Sequence, residues 1–427
     1  MEKITAVRGF KDIMPGESEK WQYIETVARD IFASFGFQEI RVPILEKTDL
    51  FRRGIGETTD IVEKEMYTFT DRGDESLSLR PEATASVIRA YIEHSLHQTE
   101  PVSKLFTIGP MFRRERPQKG RFRQFHQINA EVLGTEDPAI DAELMLLVVH
   151  FLKSVEVEEI ELQINTLGCP KCRPKFRARI QEYLLEKEPE LCGDCARRLR
   201  TNPLRIFDCK VDSCRKAIES APALLDDLCP ECRGHFEKVK EYIGIFDIPF
   251  KVNPKMVRGL DYYTRTAFEV VSKSLGSQNA VAGGGRYDNL VRELGGPDVP
   301  GIGFAIGLER LASLAPKDPR ELVGRPCLFI AALGDVARFW AFTLCNYFRM
   351  LGIRTELSHY EKSLKSQMKR SDKMGSRFTL ILGDKEVAEK KAGLRDMESG
   401  VQEEISLENF DRIAEIIYNK MGEGKIA

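Results

Sequence analysis

Two neighbouring stretches, VSKLFTIGPMFRRE (102–115) and RQFHQINAEVLG (123–134), decide the fold. Both are rich in β-branched, aromatic and aliphatic residues, and only a short basic loop separates them, so they predict a long β-hairpin. The other strand-like runs follow in an order of hairpins rather than in a regular βαβ alternation. This order favours an antiparallel sheet with helices packed on it.

The second hairpin strand has two chemically different faces, because successive side chains in a strand point to opposite sides. The apolar face consists of Ile128, Ala130 and Val132. The polar face consists of Phe125, Gln127, Asn129 and Glu131. A half-solvated antiparallel sheet would show the same alternation, but a polar stripe with an aromatic ring at its entrance also suits the floor of a binding pocket.

The loop RRERPQKGRFR (113–123) carries six basic residues and one acid in eleven positions. A solvated charge run would explain such a segment. Five of the six cations are arginines, however, and the guanidinium fork matches phosphate and carboxylate groups. A basic loop beside a polar pocket therefore indicates a site for a triphosphate, an RNA backbone or both.

Several further elements are predicted by periodicity and by turn residues. They are a helix over 18–35 with Ser18 as its N-cap, a strand over 37–46 in which Pro43 indicates an edge position or a bulge, a helix over 81–96, and strands at 267–272 and 301–307. In GIGFAIGLERL (301–311) the glycines permit a sharp strand-to-helix turn, which places Arg310 in the first helical turn. That position suits an anion.

The segment after the proline-rich linker 314–326 alternates strand and helix patterns. Strands are predicted at 327–333, 354–360 and 377–383, with helices at 335–351 and near 363–375. This alternation predicts a separate α/β domain with a mostly parallel sheet over 325–427. A total of 427 residues also exceeds what a single hydrophobic core usually serves, so two or three domains are expected.

The overall charge excludes a uniformly basic nucleic-acid-binding protein, because 66 acidic residues balance 64 basic ones. Any nucleic acid must therefore be bound by local basic patches. The N-terminal residues lack the apolar core of a secretory signal, and the most apolar run, LMLLVVHFL (144–152), is far shorter than the ~20 residues of a membrane span. The expected compartment is the cytoplasm.

The cysteines are concentrated in one segment, because eight of the ten fall between 169 and 232. They are Cys169, Cys172, Cys192, Cys195, Cys209, Cys214, Cys229 and Cys232. The first two CxxC pairs have a spacing typical of zinc sites, and eight thiols suffice for two tetrahedral ions, but spacing leaves the pairing open. A set of reduced, partly buried cysteines is the alternative. The segment interrupts the strand pattern, so residues 166–250 are predicted to be a helical, cysteine-rich insertion.

The segment RGLDYYTRT (258–266) brings two arginines, an aspartate and two tyrosines together, too polar a set for a core strand. With it, the chain resembles the histidyl-tRNA synthetase family of class II aminoacyl-tRNA synthetases. FQEIRVPILEKTDLFRRGIGETTDIV (37–62), GPMFRRERPQKGRFRQFHQINAEV (109–132) and GIGFAIGLERL resemble the three motifs of that class. RGLDYYTRT and AVAGGGRYDNL (280–290) resemble segments particular to the histidine enzymes.

This resemblance implies an α+β fold. An antiparallel-sheet catalytic domain over 1–320 would be interrupted by the insertion 166–250 and followed by an anticodon-binding domain over 325–427. It implies a homodimer that uses ATP with Mg2+ to form histidyl-adenylate and then charges tRNA(His), releasing AMP and pyrophosphate. Family insertions generally function without such cysteines, so any zinc here is expected to be structural.

The resemblance also implies a role for each matching side chain. The ATP-binding set is Arg113, Glu115, Phe125 and Arg310, with Phe125 stacked on adenine. The histidine-binding set is Glu82, Thr84 and Gln127 at the ammonium, Glu131 and Tyr262 at the imidazole, and Tyr263 along the pocket wall. The catalytic cations are Arg258, at the α-phosphate, and Arg113. Arg116, Gln118 and Arg123 would contact the tRNA acceptor end.

Two positions depart from the family pattern, since Arg114 replaces a frequent aromatic residue and Ala83 a frequent glycine. Neither is an expected ligand contact. Two other functions fit the sequence less well. A regulatory paralogue in histidine biosynthesis would lack the C-terminal domain and RGLDYYTRT, and a zinc-ribbon nucleic-acid module over 169–232 would leave Glu82, Glu131 and the loop arginines without a purpose.

Overall fold

The computed structural model describes residues 3–57, 59–117, 120–275, 279–316, 325–358 and 363–421. The chain forms two compact units, Met1–Leu322 and Val323–Ala427. Among the described residues, every helix is too short or too polar to span a membrane.

In the first unit, the described strands are β1 Gln38–Glu39, β2 Leu45–Lys47, β3 Tyr67–Thr70, β4 Ser76–Leu79, β5 Ser103–Phe112, β6 Gln124–Leu133, β7 Ile160–Thr166, β8 Phe250–Val252, β9 Thr264–Ser272, β10 Ala280–Arg286 and β11 Gly301–Gly307. The described helices are α1 Ser18–Ser34, α2 Thr48–Ile55, α3 Thr84–Glu93, α4 Pro138–Ser154, α5 Arg173–Leu185, α6 Gly193–Thr201, α7 Asp212–Ala217, α8 Pro230–Gly244, α9 Leu290–Glu293 and α10 Leu308–Leu314.

The predicted hairpin is confirmed and lies within one large sheet. β5 and β6 pair antiparallel from Ser103 opposite Leu133 to Phe112 opposite Gln124. In the described chain the strand order is β1-β5-β6-β11-β10-β9-β7-β8, in which the outer pairs β1–β5 and β7–β8 are parallel and the remaining pairs antiparallel. β2, β4 and β3 form a separate small antiparallel sheet.

The apolar face of β6 faces the core as the alternation predicts. Ile128, Ala130 and Val132 are buried in the same cluster as apolar residues of α1 and α4. The opposite face is not solvated, because Asn129 and Glu131 are each only 1% exposed. Buried polar groups on a sheet face require partners or a ligand, so this face marks the site.

Two local predictions were wrong. Ser18 is the first helical residue of α1 rather than its N-cap, and its hydroxyl lies 3.1 Å from the carboxylate of Glu19. The strand predicted over 37–46 is two short strands, β1 and β2, which join different sheets on either side of Pro43. Proline lacks a backbone N–H, so an interruption of the ladder is expected around it.

The segment between β7 and β8 contains α5 to α8 and all eight clustered cysteines. Its last helix, α8, packs Phe236, Val239 and Ile243 into the main core with α4. The earlier part packs against α3 and α9 through a second cluster that contains Phe176, Ile180 and Ile206. The segment is therefore fixed to the rest of the first unit at several points.

In the second unit, the described elements are β12 Leu328–Leu333, α11 Asp335–Met350, β13 Thr355–Leu357, α12 Leu364–Met374, β14 Phe378–Gly383, α13 Asp384–Ala388, β15 Lys391–Asp396, β16 Gln402–Ser406 and α14 Phe410–Met421. β13, β12 and β14 are parallel, as predicted. The sequence analysis missed β15 and β16, which add an antiparallel hairpin at the β14 edge.

Candidate active site

A cavity of about 290 Å3 lies over the polar face of β6. Its walls are contributed by β10, β11, the loop after β5 and residues 258–263. Of the residues assigned to substrates by resemblance, the cavity is lined by Glu82, Thr84, Arg113, Glu115, Phe125, Gln127, Arg258, Tyr262, Tyr263 and Arg310. Glu131 lies directly behind this lining and contacts it through Thr84.

The floor of the cavity presents polar atoms that lack protein partners. Phe125, Gln127 and Asn129 line it from β6. The buried Oε1 of Gln127 and Oδ1 of Asn129 have no hydrogen-bond partner within the described chain. Since buried polar atoms are nearly always satisfied, these oxygens are available to a polar ligand.

Glu131 is held by two hydroxyl groups. The Thr84 hydroxyl donates to its Oε1 at 2.6 Å, and the Tyr287 hydroxyl donates to its Oε2. Burial raises the pKa of Glu131 to about 8 against these hydrogen bonds, and the nearby Glu82 carboxylate adds to the rise. The carboxyl group is thus strongly desolvated and ready to pair with a polar or cationic ligand group.

Glu82 combines a helix-capping role with access to the cavity. Its two carboxylate oxygens accept the backbone N–H groups of Thr84 and Ala85, both at 2.9 Å, at the N-terminus of α3. Burial nevertheless raises the pKa of Glu82. The backbone donors orient this carboxylate along the cavity wall, where it is suited to a ligand cation.

The side chain of Arg258 passes over β10 at Gly283, where the glycine leaves space for it. A Cβ atom on Gly283 would lie 2.5 Å from its Nη1 atom and 2.6 Å from its Nη2 atom. The guanidinium donates to the Glu269 carboxylate and lies over the Tyr263 ring, with Cζ 5.6 Å from the ring centroid. The buried Nε of Arg258 finds no acceptor among the described residues.

A second glycine provides the space for Glu131. A Cβ atom at Gly303, which is paired with Glu131 in the β6–β11 ladder, would lie 1.7 Å from the glutamate Oε2 atom. Gly283 of β10 and Gly303 of β11 therefore have a specific steric purpose: each leaves room for an ionisable side chain to lie across the sheet.

Three tyrosines form the wall beside Glu131. The ring centroids of Tyr262 and Tyr263 are 4.6 Å apart, and those of Tyr262 and Tyr287 are 5.6 Å apart in an edge-on arrangement. All three rings are buried, and burial raises the pKa of each phenol. They consequently remain neutral and act as hydrogen-bonding groups.

The opposite end of the cavity is cationic. Arg113 donates through Nε to the Pro81 carbonyl at 2.8 Å, and its Cζ lies 5.3 Å from the Phe125 ring centroid. Arg310 donates to the Ala280 carbonyl at 2.7 Å. Burial lowers the pKa of Arg310, and the neighbouring charges of Arg121 and Arg113 lower it further. Converging guanidinium groups favour a polyanion at this end.

Glu115 also lines the cavity, but it is paired. Arg121 donates to its carboxylate at 2.6 Å. Among the residues expected at the tRNA acceptor end, Arg116 is exposed, and Arg123 directs its guanidinium towards the backbone carbonyls of Glu115 and Arg8, at 3.3 and 3.4 Å. Gln118 lies outside the described residues.

Sequence reasoning missed three groups that shape the site: Tyr287, Glu269 and Arg121. AVAGGGRYDNL was noted only for its glycines and its family likeness, yet its Tyr287 holds Glu131. Glu269 lies in a run recognised only as a strand. No local signal gives the Arg258–Glu269 pair, because Arg258 lies in the irregular segment before β9 and reaches Glu269 only through the packing of the sheet.

The cysteines form two tetrads. Cysteine cluster A contains Cys169, Cys172, Cys229 and Cys232, and cysteine cluster B contains Cys192, Cys195, Cys209 and Cys214. Within each, all four sulfur atoms lie within 4.8 Å of one another. The structure decides the pairing that the spacing left open: the two neighbouring CxxC pairs, at 169/172 and 192/195, fall in different clusters, with α5 between them in the chain.

His235, which follows the last of the clustered cysteines closely in sequence, belongs to neither cluster. Its Nε2 atom lies 3.6 Å from the Asp141 carboxylate. Burial lowers the pKa of His235 to about 4, and the charges of Arg286 and Arg265 act in the same direction. It is a neutral core side chain.

The antiparallel sheet carries an acidic pocket the size of an amino acid beside an arginine-rich end. The same unit contains the hairpin and the strand-to-helix turn that resemble the class motifs. Together these features define a class II aminoacyl-tRNA synthetase. The family model described as histidyl-tRNA synthetase matches residues 9–311, and the model described as anticodon binding domain matches residues 329–415. The chain belongs to the histidyl-tRNA synthetase family.

Individual relatives agree over nearly the whole length. The histidine–tRNA ligases of Geobacter sulfurreducens and Geobacter metallireducens are each 54% identical over 95% of this chain and cover 97% and 98% of their own lengths. The solved apo histidyl-tRNA synthetase of S. aureus is 36% identical, with a TM-score of 0.81 over 97% of this chain and all of the other. The chain is an enzyme that attaches histidine to tRNA in an ATP-dependent reaction through histidyl-adenylate, releasing AMP and pyrophosphate.

Proposed function

We propose that the cavity over β6 is the site of histidine activation, with ATP at its cationic end and histidine at its acidic end. The observation that carries this assignment is the convergence of Arg113, Arg258 and Arg310 with the buried Glu82 and the adjacent Glu131 around one space. A carboxylate and a triphosphate repel each other, so opposed cationic and anionic walls are what the two substrates require together.

In the activation step the carboxylate of histidine attacks the α-phosphorus of ATP, and pyrophosphate leaves. The protein supplies no nucleophile. The protein must align two anions and stabilise the charge on the phosphoryl oxygens. Arg258 and Arg113 perform these tasks. The free Nε of Arg258 supports this role, because a donor with no protein acceptor is available to a substrate oxygen.

The nucleotide occupies the space beside Phe125 and Arg310. The Phe125 ring stacks on adenine from one side, and Arg113 lies over the same ring. Arg310 would hold the terminal phosphates, and Mg2+ bound together with ATP would supply further positive charge there. Glu115 positions that ion or the adenine.

The amino acid lies at the tyrosine wall. Glu82, Thr84 and Gln127 bind the ammonium group, and the orphaned Oε1 of Gln127 supports this contact. Glu131 and Tyr262 satisfy the two nitrogens of the imidazole, while Tyr263 lines the pocket. An amino acid without those nitrogens would leave buried polar groups unpaired, which can give discrimination of ~10⁴-fold without editing.

The RNA partner is tRNA(His). Arg116, Gln118 and Arg123 contact its acceptor end from the loop between β5 and β6, and the exposure of Arg116 supports such a contact. Residues 166–250 act as an inserted module of the catalytic domain 1–320, and residues 325–427 bind the anticodon. We place the enzyme in the cytoplasm.

The active assembly is a homodimer. Support comes from exposed apolar side chains in the first class motif and beside it: Ile44 and Leu45 are 42% and 40% exposed, and Phe69 and Val102 are 46% and 37% exposed. Exposed apolar residues in one region favour a protein interface. Sedimentation of the purified chain tests this point, and a monomer at micromolar concentration contradicts it.

Each cysteine cluster holds a structural zinc ion. Tetrahedral Zn–S bonds of about 2.3 Å place the sulfurs about 3.8 Å apart. The sulfur atoms of Cys169 and Cys172 are 3.7 Å apart and those of Cys192 and Cys209 are 3.9 Å apart, while the cysteines are not joined by disulfides. Backbone N–H groups also point at sulfur: Cys229 N–H at Cys172 and Cys192 N–H at Cys214. The residues fit zinc, which would be a structural ion that takes no part in the chemical step itself.

Arginine 258 offers the sharpest test of the site assignment. In Arg258→Ala, single-turnover formation of histidyl-adenylate should slow by roughly a hundred- to a thousandfold, because a charge-stabilising donor is lost. Histidine and ATP binding should be largely retained. The matched control is Arg292→Ala, whose side chain is 57% exposed and pairs only with nearby polar groups. A normal single-turnover rate in Arg258→Ala contradicts the assignment.

A further inference from the structure

We propose that the zinc ion at cysteine cluster B positions residues 258–263, the loop that carries the catalytic arginine, so that occupancy of this metal site sets the rate of histidine activation. This inference rests on the zinc binding proposed above. It assigns the metal a specific effect on kcat, although every cluster B ligand belongs to the insertion rather than to the catalytic sheet.

The chain path ties cluster B to a contact residue. Cys192 and Cys195 flank the start of α6, and a short 3-10 helix, Pro203–Asp208, leads directly into Cys209. Arg205 lies in the middle of that 3-10 helix. Three residues therefore separate Arg205 from a metal ligand on one side, and α6 connects it to two more ligands on the other.

Arg205 binds the loop 258–263 through hydrogen bonds to Asp261. Its Nη2 and Nε atoms donate to Oδ1 of Asp261 at 2.9 and 3.2 Å. Asn202, which caps the end of α6, donates to the same oxygen at 3.1 Å. The Arg205 side chain is 15% exposed and that of Asp261 30% exposed. Solvent and salt therefore screen this ion pair only partly, and the interaction can hold Asp261 in position.

Asp261 is a central residue of the loop. Arg258 precedes it by three residues, and Tyr262 and Tyr263 follow it; all three line the cavity. On its other side Asp261 packs closely on the turn after α2, where Gly56 has φ +103° and a Cβ atom would lie 2.8 Å from the aspartate Oδ2. A shift of Asp261 is therefore transmitted to the residues that contact both substrates.

A second contact fixes the same module in place. Arg198, in α6, donates to the Asp60 carboxylate at 2.7 Å. Cluster A has a different position, because its cysteines lie just after β7 and at the start of α8, at the two ends of the insertion. Cluster A thus closes the base of the insertion, and cluster B organises the part that contacts the catalytic loop.

The module around cluster B has few buried side chains of its own. α6 spans nine residues and the 3-10 helix six. Their described buried residues are Cys195, Leu199, Pro203 and Ile206, of which Cys195, Leu199 and Ile206 join the second apolar cluster. This packing holds the module against the first unit, and tetrahedral thiolate ligation would fix α6 and the 3-10 helix relative to each other, as it does in small metal-binding modules. Loss of the ion should release Arg205 from Asp261 while leaving the main core packed.

The first experiment uses the full-length enzyme and the double variant Cys192→Ser/Cys209→Ser, which removes the two half-buried ligands. Elemental analysis should give two zinc ions per wild-type chain and one per variant chain. In ATP–pyrophosphate exchange the variant should lose about ten- to a hundredfold in kcat, the usual cost of misplacing a catalytic group by ~1 Å, with the KM for ATP little changed.

A second set of variants leaves the metal in place. Arg205→Ala should retain both zinc ions and show the same fall in kcat, and Arg205→Lys should recover part of it. Arg200→Ala is the matched control on α6, since its side chain is 65% exposed and pairs with Glu188 rather than with the catalytic loop. Its kcat should equal that of the wild type. This set decides the matter even if the double cysteine variant does not fold.

The outcomes separate the two proposals. Wild-type protein free of zinc would overturn the metal assignment itself. Two zinc ions in the wild type, together with an unchanged kcat in a folded Cys192→Ser/Cys209→Ser variant that holds one, would overturn the positioning inference and leave zinc binding intact. An unchanged kcat in Arg205→Ala would likewise overturn the positioning inference.

Discussion

The hydroxyl group of Thr84 donates a hydrogen bond of 2.6 Å to Oε1 of Glu131. Thr84 is the first residue of α3, and Glu131 lies in β6, 47 positions later in the chain. The bond joins the two parts of the pocket proposed to bind the ammonium and the imidazole of histidine. The sites proposed for the ammonium and the imidazole are therefore connected through the buried carboxyl group of Glu131, so a change at one should affect the other.

Glu131→Ala should impair the use of histidine far more than the use of ATP. A hydrogen bond to a charged group contributes ~1.5–3 kcal/mol, so the KM for histidine should rise about ten- to a hundredfold. ATP–pyrophosphate exchange at varied histidine and varied ATP measures both effects. Glu100→Ala, at an exposed position, is the control. An unaltered dependence of the exchange rate on histidine concentration in Glu131→Ala would show that this carboxyl group does not bind the imidazole ring of the substrate.

The protonation of Glu131 predicts a pH-dependent stability. Its pKa is raised from an ordinary value of 4.5 to about 8 by burial, beside Glu82, Thr84 and the phenol of Tyr287. Between these values the folded protein retains a proton that the unfolded chain releases. Within that window, Glu131 therefore makes the free energy of unfolding fall with rising pH, by at most about 1.4 kcal/mol per pH unit.

Glu131→Gln isolates this effect because glutamine does not titrate. Thermal unfolding midpoints of ligand-free wild type and Glu131→Gln should diverge as the pH rises through the window, with the variant gaining relative stability. Asp141, whose pKa burial raises to about 6, also titrates in this window, and His235 of the unfolded chain does so at its ordinary pKa of 6.5, but both are present in the two proteins and cancel in the comparison. Parallel curves across the window would show that Glu131 ionises at its ordinary pKa.

Gly283→Ala should reduce activity without unfolding the protein. The new methyl group would lie 2.5 Å from Nη1 of Arg258, and the end of an arginine side chain can move at little cost. Displacement of the guanidinium should lower kcat for activation by about a hundredfold. Gly234→Ala, in α8, is the control because open space surrounds its Cβ position. Equal kcat values for the two variants would show that Arg258 does not need its observed place over β10.

Arg286→Met should destabilise the first unit. The fully buried Arg286 donates to Asp141 at 2.5 Å, to Asp288 at 3.0 Å and to the Thr135 carbonyl at 2.6 Å. Removing one partner of a buried ion pair typically costs 3–5 kcal/mol, since the remaining charge is left unpaired. Denaturant unfolding measures the loss, with Arg292→Met as a surface control. A difference within about 1 kcal/mol of that control would contradict the expectation.

Local patterns in the sequence predicted much of the fold. The hairpin 102–134 combined strand propensity with clear alternation, and α1 combined strong amphipathicity with a glycine stop. β10 was missed because its AVAGGGR sequence has low strand propensity. It is nevertheless a central strand, since its glycines allow Arg258 and the neighbouring strand to approach closely.

The sequence by itself determined the class of fold, the presence of a polar sheet face beside an arginine-rich loop, and the set of cysteines. Alternation, charge runs and motif spacing are properties of neighbouring residues, and they persist in any conformation with the same local structure. The tertiary structure alone decided which distant groups meet: Tyr287 with Glu131, Arg205 with Asp261, and the cysteines as 169/172/229/232 and 192/195/209/214. These contacts depend on how strands and helices far apart in the chain pack, and no local rule specifies that packing.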